Sequence, residues 1–241
     1  MERNELPKLL YKNIDMVKPY PNTVKPVDKM VDITAFFPGG KGLWLEEYSE
    51  VFPSVLVLGQ DFSTVKQYKR ILRNEATDLE CATWRNLIKF FNEAGIDLKD
   101  CFFSNVFMGL RDTVSMTGEF PGSKDEDFVK RNIDFLYYQI DVIKPKVIIT
   151  LGIPSSEFLA KLSSDLDCWT DGKALRVPNI GLQKNVRFKD NVCTCLALEH
   201  TSCRNANVKR RKYINNSGDH CGNDAEVEML RDVKIINSQS S

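Results

Sequence analysis

Four short apolar runs limit what this chain can become. They are VLVLG within residues 55–60, CFFSNVFM within 100–108, KVIITLG at 146–152 and NVCTCLAL opening 191–202. Each is nearly continuous rather than alternating, and each runs into Gly or polar residues. A strand that is apolar on both sides must be covered on both sides. Between the runs lie helical patterns. TWRNLIKFFNEAG (83–95) stops at Gly95, and DEDFVKRNIDFLYYQIDVIKP (125–145) opens on acids and closes before Pro145. PSSEFLAKLSS (154–164) starts on Pro, and DAEVEMLRDVKIIN (224–237) ends the ordered pattern. Strands alternating with helices predict a three-layer α/β/α sandwich around a central four-stranded parallel sheet. The remaining segments read as a helix plus extended arm over about 1–35, a helix at 41–50, and a polar helical or looped insertion at 64–74. Loops are expected at 109–124 and 165–190, and a polar tail at 237–241. With no internal repeat and no linker, residues 1–241 read as a single domain.

Bulk properties exclude some classes. The 241 residues are 42% hydrophobic and 27% charged, an ordinary globular composition. Formal net charge is zero, so any affinity for nucleic acid must come from a local patch. No apolar run reaches membrane-span length, and MERNELPKLLYKN lacks a secretory pattern. The seven cysteines are an odd number, scattered through strand-like runs, and read as reduced thiols. The expectation is a cytoplasmic protein with access to a nucleoid or nucleus, monomeric and not secreted.

In a parallel sheet the carboxyl ends of the strands share one edge, where ligands bind. The first strand ends on Gly59-Gln60-Asp61, the second on Ser104-Asn105, the third on Leu151-Gly152 and the fourth on Glu199-His200-Thr201-Ser202. A carboxylate can orient water or stabilise a cation. A carboxamide offers a donor and an acceptor side by side, as a nucleobase edge requires. A histidine can donate to an oxygen that gains charge. Cleavage of an N-glycosidic bond, through an oxocarbenium-like transition state, needs all three. The run Lys209-Arg210-Arg211-Lys212, just after His200, is a local basic patch suited to phosphates.

These stretches together resemble the uracil-DNA glycosylase superfamily. GQDFS resembles the water-activating motif that reads GQDPYH in the best-known branch. FFSNVFMGLR resembles the segment whose Asn reads uracil, PKVIITLG the third strand, and EHTSCRN the HPS-type motif. The likeness covers roughly residues 36–213, with the motifs in order. It implies roles residue by residue. Asp61 would position the hydrolytic water and His200 would donate to the leaving base. Gln60, through its backbone N–H, and Asn105 would bind the base, with Phe62, Tyr68 and Trp84 as alternatives for the stacking aromatic. Ser202, Arg204, Lys209, Arg210 and Arg211 would grip DNA. The implied partner is uracil-containing DNA, single- or double-stranded, and no metal or organic cofactor is implied. Since no cysteine precedes Cys81, no iron–sulfur cluster of the kind some branches hold is expected.

Departures from the pattern leave a second reading open. Phe62-Ser63 stands where the GQDPYH form has Pro-Tyr, the Tyr that excludes the thymine methyl, and Thr201 stands where HPS has Pro. The apolar wedge that follows the His motif has no counterpart in CRNANVKRR. The alternative is a catalytically inactive module of the same fold that binds nucleic acid or a partner protein. A third reading is a hydrolase of free nucleosides or another small molecule, with the pocket but no use for the basic rim. A zinc site at Cys193, Cys195, His200 and Cys203 is disfavoured. The first two are spaced as neighbours on one face of a strand, where free Cys behaves as a small hydrophobe. FPGGKGLW (37–44) reads as a Gly-rich turn, since it lacks the phosphate-loop spacing.

Overall fold

The computed structural model describes residues 1–32, 34–44, 51–73, 75, 81–202 and 207–239. In chain order its strands are β1 Val24–Lys25, β2 Val55–Gly59, β3 Ser63–Thr64, β4 Cys101–Asn105, β5 Leu110–Arg111 and β6 Val147–Leu151. They continue with β7 Leu182–Phe188, β8 Asn191–Leu198, β9 Lys212–Asn215 and β10 Gly218–Cys221. The α-helices are α1 Leu6–Lys12, α2 Val65–Leu72, α3 Ala82–Ala94, α4 Glu126–Ile143, α5 Ile153–Ala160, α6 Lys173–Arg176 and α7 Gly222–Gln239.

The central sheet runs β4-β2-β6-β8-β7. The four strands expected from the apolar runs are all present and mutually parallel. The expectation of a four-stranded sheet needs correction, because β7 adds a fifth strand, antiparallel to β8. It lies in the segment read as loop. Its sequence LQKNVRF exposes Lys184, Asn185 and Arg187, and its register shifts between Gln183 and Val186. A charged, bulged strand is how proteins blunt a sheet edge, and it carries little apolar signal. The opposite edge, β4, is covered by the Gly-rich turn. Phe37 N–H donates to Phe103 O, Phe103 N–H donates to Gly42 O, and Leu43 bridges Phe102. Residues 41–44 therefore bend along the sheet edge rather than form a helix; the rest of the expected 41–50 helix lies outside the described residues.

Alternation along each strand sends neighbours to opposite layers. Leu56, Leu58, Phe102, Ile148 and Ala197 join one core with α4, α5 and the N-terminal arm, including Leu6, Leu10 and Val17. Val55, Val57, Phe103, Ile149 and Leu196 join the other with α3 and α7. α3 carries Trp84, Leu87, Phe90, Phe91 and Ala94 on its buried face and stops at Gly95 in the left-handed conformation. α4 is capped by Asp125, whose carboxylate accepts from Phe128 N–H at 2.8 Å. Fully burying one large apolar side chain contributes about 1.5–3 kcal/mol, so these two layers supply most of the folding free energy. Among the described residues no helix is long and apolar enough to cross a membrane.

Two polar residues of α4 reach through the core to the carboxyl edge. Gln139 Oε1 accepts from Ser104 Oγ at 2.6 Å, and Asn132 Oδ1 accepts from Met108 N–H at 2.9 Å. Asn132 is 1% exposed, so the N–H it satisfies has no water to turn to. Asn132→Leu should therefore destabilise the protein by about 1–3 kcal/mol in urea unfolding, whereas an exposed α4 change such as Lys130→Ala should stay within about 0.5 kcal/mol.

Candidate active site

The register pairs Gly59 with Asn105 across β2 and β4. On the other side of β2, β6 ends at Leu151 beside Leu198 of β8. Asn105, Gln60-Asp61, Gly152 and Glu199-His200 thus follow one another along one edge, at about 4.8 Å per strand. The edge closes on itself through backbone bonds. Val106 N–H donates to Gly59 O, Phe107 N–H to Gln60 O and Gly152 N–H to Leu198 O.

Asn105 is buried, and its Nδ2 donates to Phe37 O at 2.9 Å. A carbonyl acceptor at that point fixes which end of the amide is nitrogen, so Oδ1 faces Gly59. A Cβ at residue 59 would lie 2.6 Å from that oxygen, and this explains the glycine before Gln60-Asp61.

Asp61 is held in a buried ion pair. Arg111 Nε donates to Oδ1 at 2.9 Å and Nη2 to Oδ2 at 2.7 Å, with the two side chains 7% and 3% exposed. The rest of the guanidinium is also used: Nη1 donates to Thr117 O and Glu119 O, and Nη2 to Gly118 O. The Gln60 amide meets the same turn, its NH2 at Gly118 O and its oxygen at Phe120 N–H. Burial pushes the Asp61 carboxyl above the usual carboxylate range, while the hydrogen bonds and charge of Arg111 pull it back. Sequence reasoning did not single out Arg111. Its signal was a lone Arg closing the otherwise apolar NVFMGLR, since a buried Arg requires an acceptor.

His200 follows β8 and rests on Gly152, whose Cβ, if present, would come within 3.1 Å of His200 Cβ. Gly152 also sits at φ +88°, a conformation that L side chains rarely adopt. The Ser202 backbone N–H points at His200 Nδ1 at 3.3 Å and Ser202 Oγ lies 2.8 Å from it. A backbone N–H can only donate, so Nδ1 is the acceptor and the ring proton sits on Nε2. Burial lowers the His200 pKa. The ring is therefore neutral near pH 7, with an N–H to give. Ser202, expected to face phosphate, is exposed and sets its hydroxyl beside the histidine.

Phe62 is half-buried, packing over Gly39 and edge-on to Tyr68 at 6.1 Å. The other two aromatic alternatives are core residues. Tyr68 is 2% exposed with its hydroxyl bonded to both backbone groups of Lys29, and Trp84 is 1% exposed against Phe36 and Phe103. The basic run divides. Lys209 and Arg210 are exposed. Arg211, expected to contact DNA, is instead buried at 1% exposure. Its guanidinium donates to Ala174 O at 2.6 Å and Ala197 O at 2.5 Å and lies 3.6 Å from the Glu226 carboxylate. Glu226 in turn accepts from Glu199 N–H at 2.6 Å, fixing the residue before His200. Arg204 and Cys203 lie outside the described residues. Cys193 and Cys195 are buried in the sheet's core layer.

Two outcomes follow from this geometry. Arg211→Ala should cost about 3–5 kcal/mol in urea unfolding because it strands the Glu226 charge, whereas Lys209→Ala and Arg210→Ala should each change stability by about 0.5 kcal/mol or less. In nitrogen-detected NMR, His200 should show a protonated Nε2 at pH 7 and titrate below the usual value of about 6.5. A protonated Nδ1 would contradict the assigned tautomer.

None of the curated proteins searched matches the chain. The family model described as the uracil DNA glycosylase superfamily matches residues 53–217, more than half of the sequence and all of the strand ends described above. The chain belongs to the uracil-DNA glycosylase superfamily.

Proposed function

We propose that this protein excises uracil from DNA by hydrolysing the N-glycosidic bond of deoxyuridine and leaving an abasic site. The observation that carries the reading is the order of side chains along the sheet edge, Asn105, Asp61 and His200, within the span that the family model matches. A base inside a duplex is out of reach, so the nucleotide must first leave the stack, at a cost of a few kcal/mol. Exposed Lys209 and Arg210, beside the His200 segment, supply phosphate contacts that help offset it.

With the flipped base at the sheet edge, Asn105 Oδ1 accepts from uracil N3–H, and the Nδ2 hydrogen not given to Phe37 donates to O4. The C1′–N1 bond breaks with its electron pair going to the base. Charge reaches uracil O2, where neutral His200 donates from Nε2 and the Gln60 backbone N–H assists. The sugar becomes cationic, and the Asp61 carboxylate stabilises it. Water adds to C1′ and gives its proton to Asp61. An ionised carboxylate has about four lone-pair sites, and Arg111 uses two of them. The others serve water and sugar. Because burial raises the Asp61 pKa, activity should fall on the acid side at a pH above about 4, where an ordinary aspartate would titrate. With Ser63 in place of the Tyr of the GQDPYH form, discrimination against thymine comes from elsewhere in the site or is lax.

One observation favours the second reading, a nucleic-acid-binding module without turnover: Asp61 is almost enclosed, with both oxygens engaged by Arg111. The two readings separate in one assay. Single- and double-stranded oligonucleotides carrying one uracil are incubated with the protein, then treated with alkali, with thymine, hypoxanthine and undamaged controls alongside. The expected outcome is cleavage at uracil, reduced about 100- to 10,000-fold in Asp61→Asn and about 100- to 1,000-fold in His200→Ala, with DNA affinity little changed. Wild-type rates in Asp61→Asn would remove the aspartate from the mechanism. Salt-sensitive DNA binding without cleavage of any substrate would favour the module.

A further inference from the structure

The buried cation beside Asp61 does more than neutralise it. Arg111 ends a short strand, β5, that pairs with β3 immediately after Asp61-Phe62. Its guanidinium spends two N–H groups on the two oxygens of one carboxylate and the others on three successive carbonyls, of Thr117, Gly118 and Glu119. Phe120 lies beneath it, 5.6 Å from ring centroid to guanidinium carbon. The planar fork has one orientation that satisfies all of these acceptors, so the plane of the Asp61 carboxylate is fixed with it.

We infer that Arg111 is the positioning residue of the site. It sets the plane and the ionisation of the Asp61 carboxylate and locks the 117–120 turn to it, so that carboxylate and turn act as one rigid unit. This rests on the reading of Asp61 as the water-positioning group. The carbonyl ligands matter to the chemistry. Three carbonyl dipoles direct their negative ends at the guanidinium, so Arg111 holds Asp61 ionised without consuming all of the field that a cationic sugar would feel. A lysine could supply the charge but not the fork, since its ammonium is a point donor on a flexible stem.

The charged surroundings are few. Arg111 is the charged side chain bonded to Asp61 from β5. On the adjoining turn, the Glu119 carboxylate is directed to Ser123 and Lys124, and Asp112 pairs with Lys25. Removing Arg111 therefore leaves burial unopposed, and the Asp61 pKa must rise. The acid limb of the rate profile must move to higher pH with it.

The test uses the full chain with Arg111→Gln and Arg111→Lys, each checked for folding by circular dichroism. Two quantities are read: the pH profile of kcat on a uracil oligonucleotide, and the Asp61 carboxyl titration by carbon NMR. In Arg111→Gln, kcat should fall about 100-fold, the scale of a misplaced reacting group, and both the acid limb and the carboxyl titration should move up by at least about one pH unit, a tenfold change in ionisation. Arg111→Lys should keep the acid limb near its wild-type position while kcat still falls, separating charge from orientation. A folded Arg111→Gln with wild-type kcat and an unmoved acid limb would overturn the inference while leaving the glycosylase reading intact. So would loss of fold in both variants, which would make Arg111 purely structural. A wild-type protein that excises nothing, although its Asp61 titration shifts in Arg111→Gln, would instead overturn the glycosylase reading and the positioning role with it.

Discussion

A parallel sheet buried on both faces has to satisfy its backbone at the carboxyl edge with whatever the loops bring. That constraint organises the molecule. Two strand ends here are met by the chain that leaves a neighbouring strand: Gly59 and Gln60 carbonyls by Val106 and Phe107, and Leu198 by Gly152. Such tight closure disfavours a side chain at Gly59, where a Cβ would lie 2.6 Å from Asn105 Oδ1, and at Gly152, where φ is +88° and a Cβ would press on His200 at 3.1 Å. Asn105 and His200 are thus set against glycine backbone at the strand ends.

The same economy applies to charge. Arg111 and Arg211 are almost wholly buried, and both spend N–H groups on backbone carbonyls beside one carboxylate: Arg111 donates to that of Asp61, and Arg211 Nε lies 3.6 Å from that of Glu226. Carbonyl ligands make such burial tolerable, because an ion pair alone does not recover its desolvation cost. The two pairs differ in what they hold. Arg211 with Glu226 ties α7 to the backbone just before His200. Arg111 holds a side chain that the proposed chemistry requires to be reactive. A carboxylate left alone in that position would hold its charge less readily, because burial opposes it. The cation keeps it charged, and the three carbonyls limit how far the cation quenches it.

Legibility in the sequence followed apolar pattern. The four buried strands and the helices α3, α4, α5 and α7 could be read because burial on both faces, or on one helical stripe, writes a period into the residues. β7 and the β9–β10 hairpin could not, since each mixes exposed and part-buried side chains with few buried ones and writes little apolar pattern. At the site, Asp61, Asn105 and His200 were legible as polar residues ending apolar runs. Ser202 was legible as a residue near the site, but its contact with His200 Nδ1 depends on a local turn that no spacing encodes. Arg211 was misread because a run of four cations looks like a solvated face. The chain turns at Arg211 into β9, and its side chain faces inward between exposed neighbours on both sides.

Arg111 is the instructive omission. A polar residue at the end of an apolar run draws attention when it has chemistry of its own, as a carboxylate or an imidazole does, and an arginine there is easily taken for the start of a solvated loop. The physical cue was available: NVFMGLR continues an apolar stretch with no break before the cation, so the Arg had either to leave the core or to bring acceptors into it. The acceptor was a carboxylate fifty residues earlier, and only parallel pairing of β3 with β5 brings the two together. Local sequence can announce that a buried charge needs a partner, but the partner's identity is a property of the topology. In this fold that partnership lies at the sheet edge where the proposed reaction would take place.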